Sequence, residues 1–216
     1  MLLFALLFLA AASLSTASPV CSRSTQTFNL TTPVLLTISP STSSCTSAPF
    51  PAECATASTA APFLSSSFQR YGITTPGETA ALLSLILFES GDLQYNRNHF
   101  PGVPGQGTRN MQSPTFNALY ADSLVTAGRL TSSDVQTAKA AGVGPVLDLL
   151  LKEGNEDLDF GSAAWFLSSQ CSADVRSGLK SGSEAGWEVY LTECVGTTVT
   201  DDRKTGWTNA IAALGA

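Results

Sequence analysis

Charge and histidine are scarce in this chain. Asp, Glu, Lys and Arg together make up 13% of its 216 residues, and His99 is the single histidine. With no Cys-x-x-Cys pair to join that histidine, the ligand spacing of a zinc or similar metal site is missing, and no cofactor is expected. Cations are the scarcer sign: 11 Lys and Arg against 17 Asp and Glu give a formal charge of −6 and a sequence pI of about 4.6. Nucleic acid is thereby excluded as a natural partner, because phosphate contacts need a basic face. The same deficit opposes capture by an anionic surface at neutral pH, and opposes it less in acid. Long apolar runs are absent after the first residues, so neither a membrane span nor a membrane partner is expected. No internal repeat is visible.

What is present begins with an apolar run from Met1 to Ala12, followed by the small residues Ser13-Leu-Ser-Thr-Ala17. Although no Lys or Arg precedes the run, it reads as a signal peptide over 1–17 and hence as a secreted, extracellular protein. Five cysteines, Cys21, Cys45, Cys54, Cys171 and Cys194, suit an oxidising compartment, and the odd number leaves at least one without an intramolecular partner. Cys171 and Cys194 lie on consecutive predicted helices and are paired on that ground; closing their loop contributes roughly 3 kcal/mol in the chain-entropy account. Cys45 with Cys54 is the second pairing, while Cys21 with either of these fits the spacing equally well. From 18 to 50 the chain reads as an arm rich in Ser and Thr, with a glycosylation sequon at Asn29-Leu-Thr31. Inside it, Thr27 to Ser39 has the β-branched and apolar residues of one or two short strands, broken at Pro33.

The remaining 51–216 suffices for one domain with a sizeable core, expected to be a monomer. Its punctuation is helical, which makes the fold class mainly α, with short β elements at most. Ser113-Pro114 opens a helix that stops before Gly128, Ser132 or Ser133 caps another ending near Gly142, and Gly144-Pro145 opens the next. Phe160, Ala163, Ala164, Phe166 and Leu167 continue the helical pattern, and Ser172, Ser183 and Thr200 are caps for three final helices. Trp165, Trp187 and Trp207 fall among apolar residues and are read as core. The longest stretch without helical pattern, Gly91 to Asn110, is crowded with Asn, Gly and Pro. A loop of that length inside a helical domain is usually functional.

Directly before that loop stands the most informative helix. Thr75 with Glu78 forms a capping box, Pro76 occupies the first helical position and Gly91 supplies a left-handed stop, so Glu89 sits at the helix end. Ala80 to Phe88 are apolar nearly all round, which implies burial and carries Glu89 to the rim of an apolar environment. Desolvation by Leu85, Ile86 and Phe88, together with the negative end of the helix, is expected to favour a protonated carboxyl group there. A glycosidase needs such a group to protonate a leaving sugar oxygen.

Glu89-Ser-Gly91 followed by Gly105-Gln-Gly-Thr-Arg-Asn-Met-Gln112 resembles the lysozyme-like superfamily, in particular the branch of goose-type lysozymes and soluble lytic transglycosylases. There a helix ends in Glu-Ser, and a loop leads to Gly-Leu-Met-Gln before the next helix. Here Met111-Gln112 matches the end of that motif, Arg109-Asn110 replaces Gly-Leu, and the loop is several residues longer. Phe68 to Asp122, Gly161 to Cys171 and Cys194 to Thr198 are also similar to a set of secreted fungal proteins that includes muramidases. The resemblance implies a lysozyme-like helical domain that cleaves the β-1,4 bond between N-acetylmuramic acid and N-acetylglucosamine, with peptidoglycan as partner and Glu89 as general acid.

Asp92 is the first candidate for a second carboxylate, with Asp122, Asp157 and Asp159 as others; a plain reading of Asp92 is a charge solvating the loop. A separation of about 5 Å suits a retaining nucleophile and about 8 Å an inverting base. Gln94, Tyr95, Asn96, His99, Arg109, Asn110 and Gln112 offer hydrogen bonds and an aromatic face to N-acetyl sugars. Equally open are Arg109 as a tie between the loop and an acid, Tyr95 as loop packing, and His99 as loop packing or a cap. The alternatives to a muramidase are a lytic transglycosylase, a chitinase or chitosanase, and a secreted glycan-binding or host-interaction protein without chemistry.

Overall fold

The computed structural model describes residues 30–216; the expected signal peptide, Cys21 and the Asn29 sequon lie outside the described residues. Eleven α-helices follow one another among the described residues: α1 Thr32–Ile38, α2 Ala57–Arg70, α3 Pro76–Glu89, α4 Pro114–Thr126, α5 Ser132–Ala141, α6 Val143–Leu150, α7 Glu156–Asp159, α8 Ser162–Gln170, α9 Ala173–Lys180, α10 Glu184–Val189 and α11 Asp201–Leu214. A 3₁₀ turn at Pro40–Ser43 follows α1, and a π-helical turn at Tyr190–Val195 follows α10. The chain is mainly α. The β content among the described residues is two isolated bridges in the loop, Arg97 with Gly107 and Gly107 with Gln112.

Helix α3 runs through the centre because no face of it is polar: every residue from Ala80 to Leu87 is buried. Its N-terminus is capped by Thr75, whose Oγ1 accepts from the Glu78 N–H at 3.2 Å; the Glu78 carboxylate takes the Thr75 hydroxyl, at 3.1 Å, where a full capping box would take the Thr75 backbone N–H. Glu78 is itself fully buried and is answered by Arg176 of α9 through Nε at 3.0 Å and Nη2 at 2.8 Å. Around α3 lie α11, α9, α8 and α2, with Leu64, Phe68, Leu83, Ile86, Leu167 and Trp207 in one apolar cluster. A second, smaller cluster joins Tyr120 and Leu124 of α4 to Val135 of α5, Val146 and Leu150 of α6 and Trp165 and Phe166 of α8. Helix α8 serves both: Ala163, Ala164 and Leu167 turn to the first, Trp165 and Phe166 to the second. Residues 90–113 connect the two clusters, which sets this loop at their junction. The three tryptophans are core, with Trp187 stacked on Trp207 at 5.1 Å.

The segment Thr27 to Ser39 departs from the strand expectation where it is described. Thr32–Ile38 is a helix, because Pro33 in its first turn has no N–H to lose and Leu35 and Ile38 can then bury together. Leu30, Leu35 and Ile38 belong to the main core, so the described end of the expected arm is part of the folded body. Smaller shifts occur at two caps. Thr131, not Ser132 or Ser133, caps α5 by accepting from the Asp134 N–H, and α6 begins at Val143. Among the described residues two disulfides are formed, Cys45 to Cys54 and Cys171 to Cys194. No described helix is long and apolar enough to cross a membrane.

Candidate functional site

Glu89 is the last residue of α3, and its side chain is 23% exposed. One wall of the space beside it is apolar, from Leu85, Phe116, Phe166 and Val195. The end of the loop, Asn110, Met111 and Gln112, lines the same space, a cavity of about 310 Å³. Ligand pockets span roughly 300–1,000 Å³, and this one lies at the small end of that range. Glu89 is the one carboxylate lining it among the described residues. Its Oε1 accepts from Arg203 Nη2 of α11 at 2.7 Å. Sequence reasoning missed that partner, which lies more than a hundred residues away with no local signal. Phe88, expected to help bury Glu89, is instead 44% exposed, and the Arg203 guanidinium lies 4.0 Å from its ring centroid. Two polar groups nearby are buried without a partner: Arg203 Nη1 and the hydroxyl of Tyr190. Burial pushes the Tyr190 hydroxyl upward, and the charge of Glu89 pushes it further.

The loop reverses sharply after Glu89. Gly91, Asp92 and Leu93 all have positive φ, 55°, 56° and 67°, a run that only glycine adopts without strain. Ser90 Oγ holds the reversal, donating to Ile86 O at 2.7 Å and accepting from the Leu93 N–H at 2.9 Å. This turn carries Asp92 away from the cavity at Glu89. Its carboxylate accepts from Ser39 at 2.8 Å and Ser41 at 2.7 Å, in a neighbouring cavity of about 400 Å³ that Arg203 also lines.

The other loop residues divide by what they touch. Arg109 lies in the interior: Nε donates to Asp159 at 2.8 Å, Nη1 to Leu93 O at 2.9 Å and Nη2 to Glu53 O at 2.8 Å. It ties the loop to an acid, one of the two roles the sequence left open, and the acid is Asp159. Asn110 Oδ1 accepts from Thr108 and Ser162, and Gln112 Nε2 donates to Asn117 at 2.7 Å, so both are held by protein while bordering the Glu89 cavity. Asn96 donates to Asp159 at 3.3 Å and lines a third cavity with Glu53 and Arg109. His99 accepts or donates with Glu53 at 2.8 Å and stacks on Phe50 at 3.7 Å, and Tyr95 leans on the same group. Gln94 is half-buried and, like Tyr95 and His99, does not line the Glu89 cavity. Of the sequence candidates, then, Glu89, Asn110 and Gln112 converge. Asp122 pairs with Lys139, and Asp157 with Arg70 and Arg129. No cluster of His, Cys, Asp and Glu fit to hold a metal occurs among the described residues.

No family model matches the chain, and no solved structure does. A stretch of 124 residues, 56% of this chain, is 45% identical to part of a bifunctional dioxygenase-epoxy alcohol synthase of Fusarium oxysporum (strain Fo5176). The chain covers 9% of that protein, and its named activities are those of a far longer molecule. A likeness confined to so small a share does not by itself assign a family to this chain.

Proposed function

We propose that this chain is a secreted peptidoglycan hydrolase of muramidase type, with Glu89 as the acid that protonates the leaving sugar oxygen. The observation that supports it best is one juxtaposition. A carboxyl group at the end of a buried helix lines, together with Met111-Gln112, a cavity of about 310 Å³ to which Leu85, Phe116, Phe166 and Val195 also contribute. Apolar side chains beside a carboxyl group strengthen its interaction with charge developing on a sugar. Asn110 and Gln112, held by Ser162 and Asn117, offer fixed amides to N-acetyl groups. The two disulfides fit the oxidising surroundings of an exported protein. Glu89→Gln should abolish lysis of purified peptidoglycan while leaving the thermal midpoint near that of the wild type. Full lysis by the variant removes Glu89 from the reaction.

A second reading is favoured by the isolation of Glu89. With Asp92 engaged by Ser39 and Ser41, a single carboxyl group borders the reacting space, as a lytic transglycosylase requires, since the sugar's own hydroxyl attacks. Anhydro ends on the products select this reading and reducing ends select hydrolysis. The Glu89 ion pair with Arg203 and the partial likeness to a much longer protein favour a third: a binding module without turnover. Folded wild type that binds peptidoglycan and releases no fragments selects that one.

A further inference from the structure

Arg203 poses a chemical difficulty for the acid role. While its Nη2 donates to Glu89 Oε1 at 2.7 Å, that oxygen is occupied by a cation and is not open to a leaving sugar oxygen. Yet the guanidinium is not fully engaged, since Nη1 is buried with no hydrogen-bond partner. A buried donor left unmet is costly, and a guanidinium is shaped to answer a carboxylate through two parallel N–H bonds. The side chain also has somewhere to go. It lies over the exposed face of Phe88, and it lines both the cavity at Glu89 and the larger one beside Ser39 and Asn209. Asp92 in that second cavity does not compete for it, because both carboxylate oxygens are taken by serine hydroxyls.

We infer that Arg203 is a positioning residue that senses an anionic group on the glycan: a carboxylate bound beside the scissile bond takes over the guanidinium and frees Glu89 to act as acid. This rests on the reading of Glu89 as the acid, and it narrows the substrate class. Glycans carrying a carboxylate next to the cleaved bond, such as the lactyl ether of N-acetylmuramic acid, are turned over. Neutral N-acetylhexosamine polymers bind without releasing the pair. Once freed, Glu89 takes a proton from solvent, gives it to the leaving oxygen and returns to Arg203 when the anionic product departs. Glu89 is thus available to the leaving oxygen only in the presence of the right sugar.

The test compares one soluble oligosaccharide of alternating N-acetylglucosamine and N-acetylmuramic acid with the same oligosaccharide as its lactyl methyl ester. Wild type should cleave the free acid about tenfold faster or more in kcat/KM, the scale expected for losing charge-assisted hydrogen bonds. Arg203→Gln should bring the two rates together and raise kcat on the ester, whereas Arg203→Lys should keep part of the preference. Thermal unfolding checks that both variants are folded, and the wild-type comparison needs no variant. Equal cleavage of acid and ester by wild type, with Glu89→Gln inactive on both, overturns the role of Arg203 and leaves Glu89 in place. Cleavage of neither by wild type, or of both by Glu89→Gln, overturns the underlying function.

Discussion

Each nitrogen of the Arg109 guanidinium has a fixed protein partner, and its planar face lies 4.8 Å from the Phe160 centroid. Both Arg109 and Asp159 are 4% exposed, so removing one leaves the other charged in the interior. Arg109→Ala should cost about 3–5 kcal/mol in chemical unfolding. The same burial acts on the partner: it pushes the Asp159 carboxyl above its ordinary value, while Arg109 and Asn96 pull it back. The pair is costly to bury and costlier to halve. A carboxyl group with a raised folded value contributes stability that is full below the unfolded value and lost as pH rises through the folded one. The unfolding free energy of wild type minus that of Asp159→Asn should therefore fall as pH climbs from strongly acid toward neutral. A flat or rising difference contradicts the assignment. Sequence placed Arg109 in the right loop and offered an acid as its partner, but Asp159 is fifty residues away, and only the folded chain selects it from the other acids.

At the scale of elements, α3 is held by close approach as well as by apolar area. A Cβ on Gly77 would stand 2.3 Å from the Leu179 carbonyl oxygen of α9, where the backbone cannot yield cheaply. Gly206, inside α11, has nothing within 4 Å of such a position. The same substitution should thus act in opposite directions. Gly77→Ala should destabilise by about 1–3 kcal/mol, and Gly206→Ala should stabilise by about 0.5–1 kcal/mol, both read from denaturant midpoints. Helices of this kind were legible because their signals are local. Thr75, Ser113, Ser172, Ser183 and Thr200 each accept from the N–H three residues on, and each cap was readable from its own few neighbours. Helix α1 was misread for the same reason. Thr, Val, Leu and Ile around Pro33 suit a strand broken by proline as well as a helix begun by it, and burial against α2 and α11 decides.

The whole molecule brings its site together from distant stretches: the run from the end of α3 through the loop to Phe116 of α4, Phe166 of α8, Val195 of the π-helical turn and Arg203 of α11. The Cys171–Cys194 disulfide closes the chain between the end of α8 and that turn, so it restrains one side of the cavity. Replacing both cysteines by serine should cost about 3 kcal/mol and lower the thermal midpoint accordingly. The candidate site was partly visible in sequence as Glu89 and Met111-Gln112. Arg203 and Tyr190 were not, because convergence across more than a hundred residues leaves no mark on local pattern.

The central claim is that Glu89 cleaves the muramyl bond, and the fragments made from purified peptidoglycan test it most directly. Wild type and Glu89→Gln are incubated with the polymer between acid and neutral pH, and new ends are identified by mass spectrometry. The account predicts reducing N-acetylmuramic acid ends from wild type and none from the folded variant. Equal release by Glu89→Gln, or no release from any wall preparation by folded wild type, contradicts it.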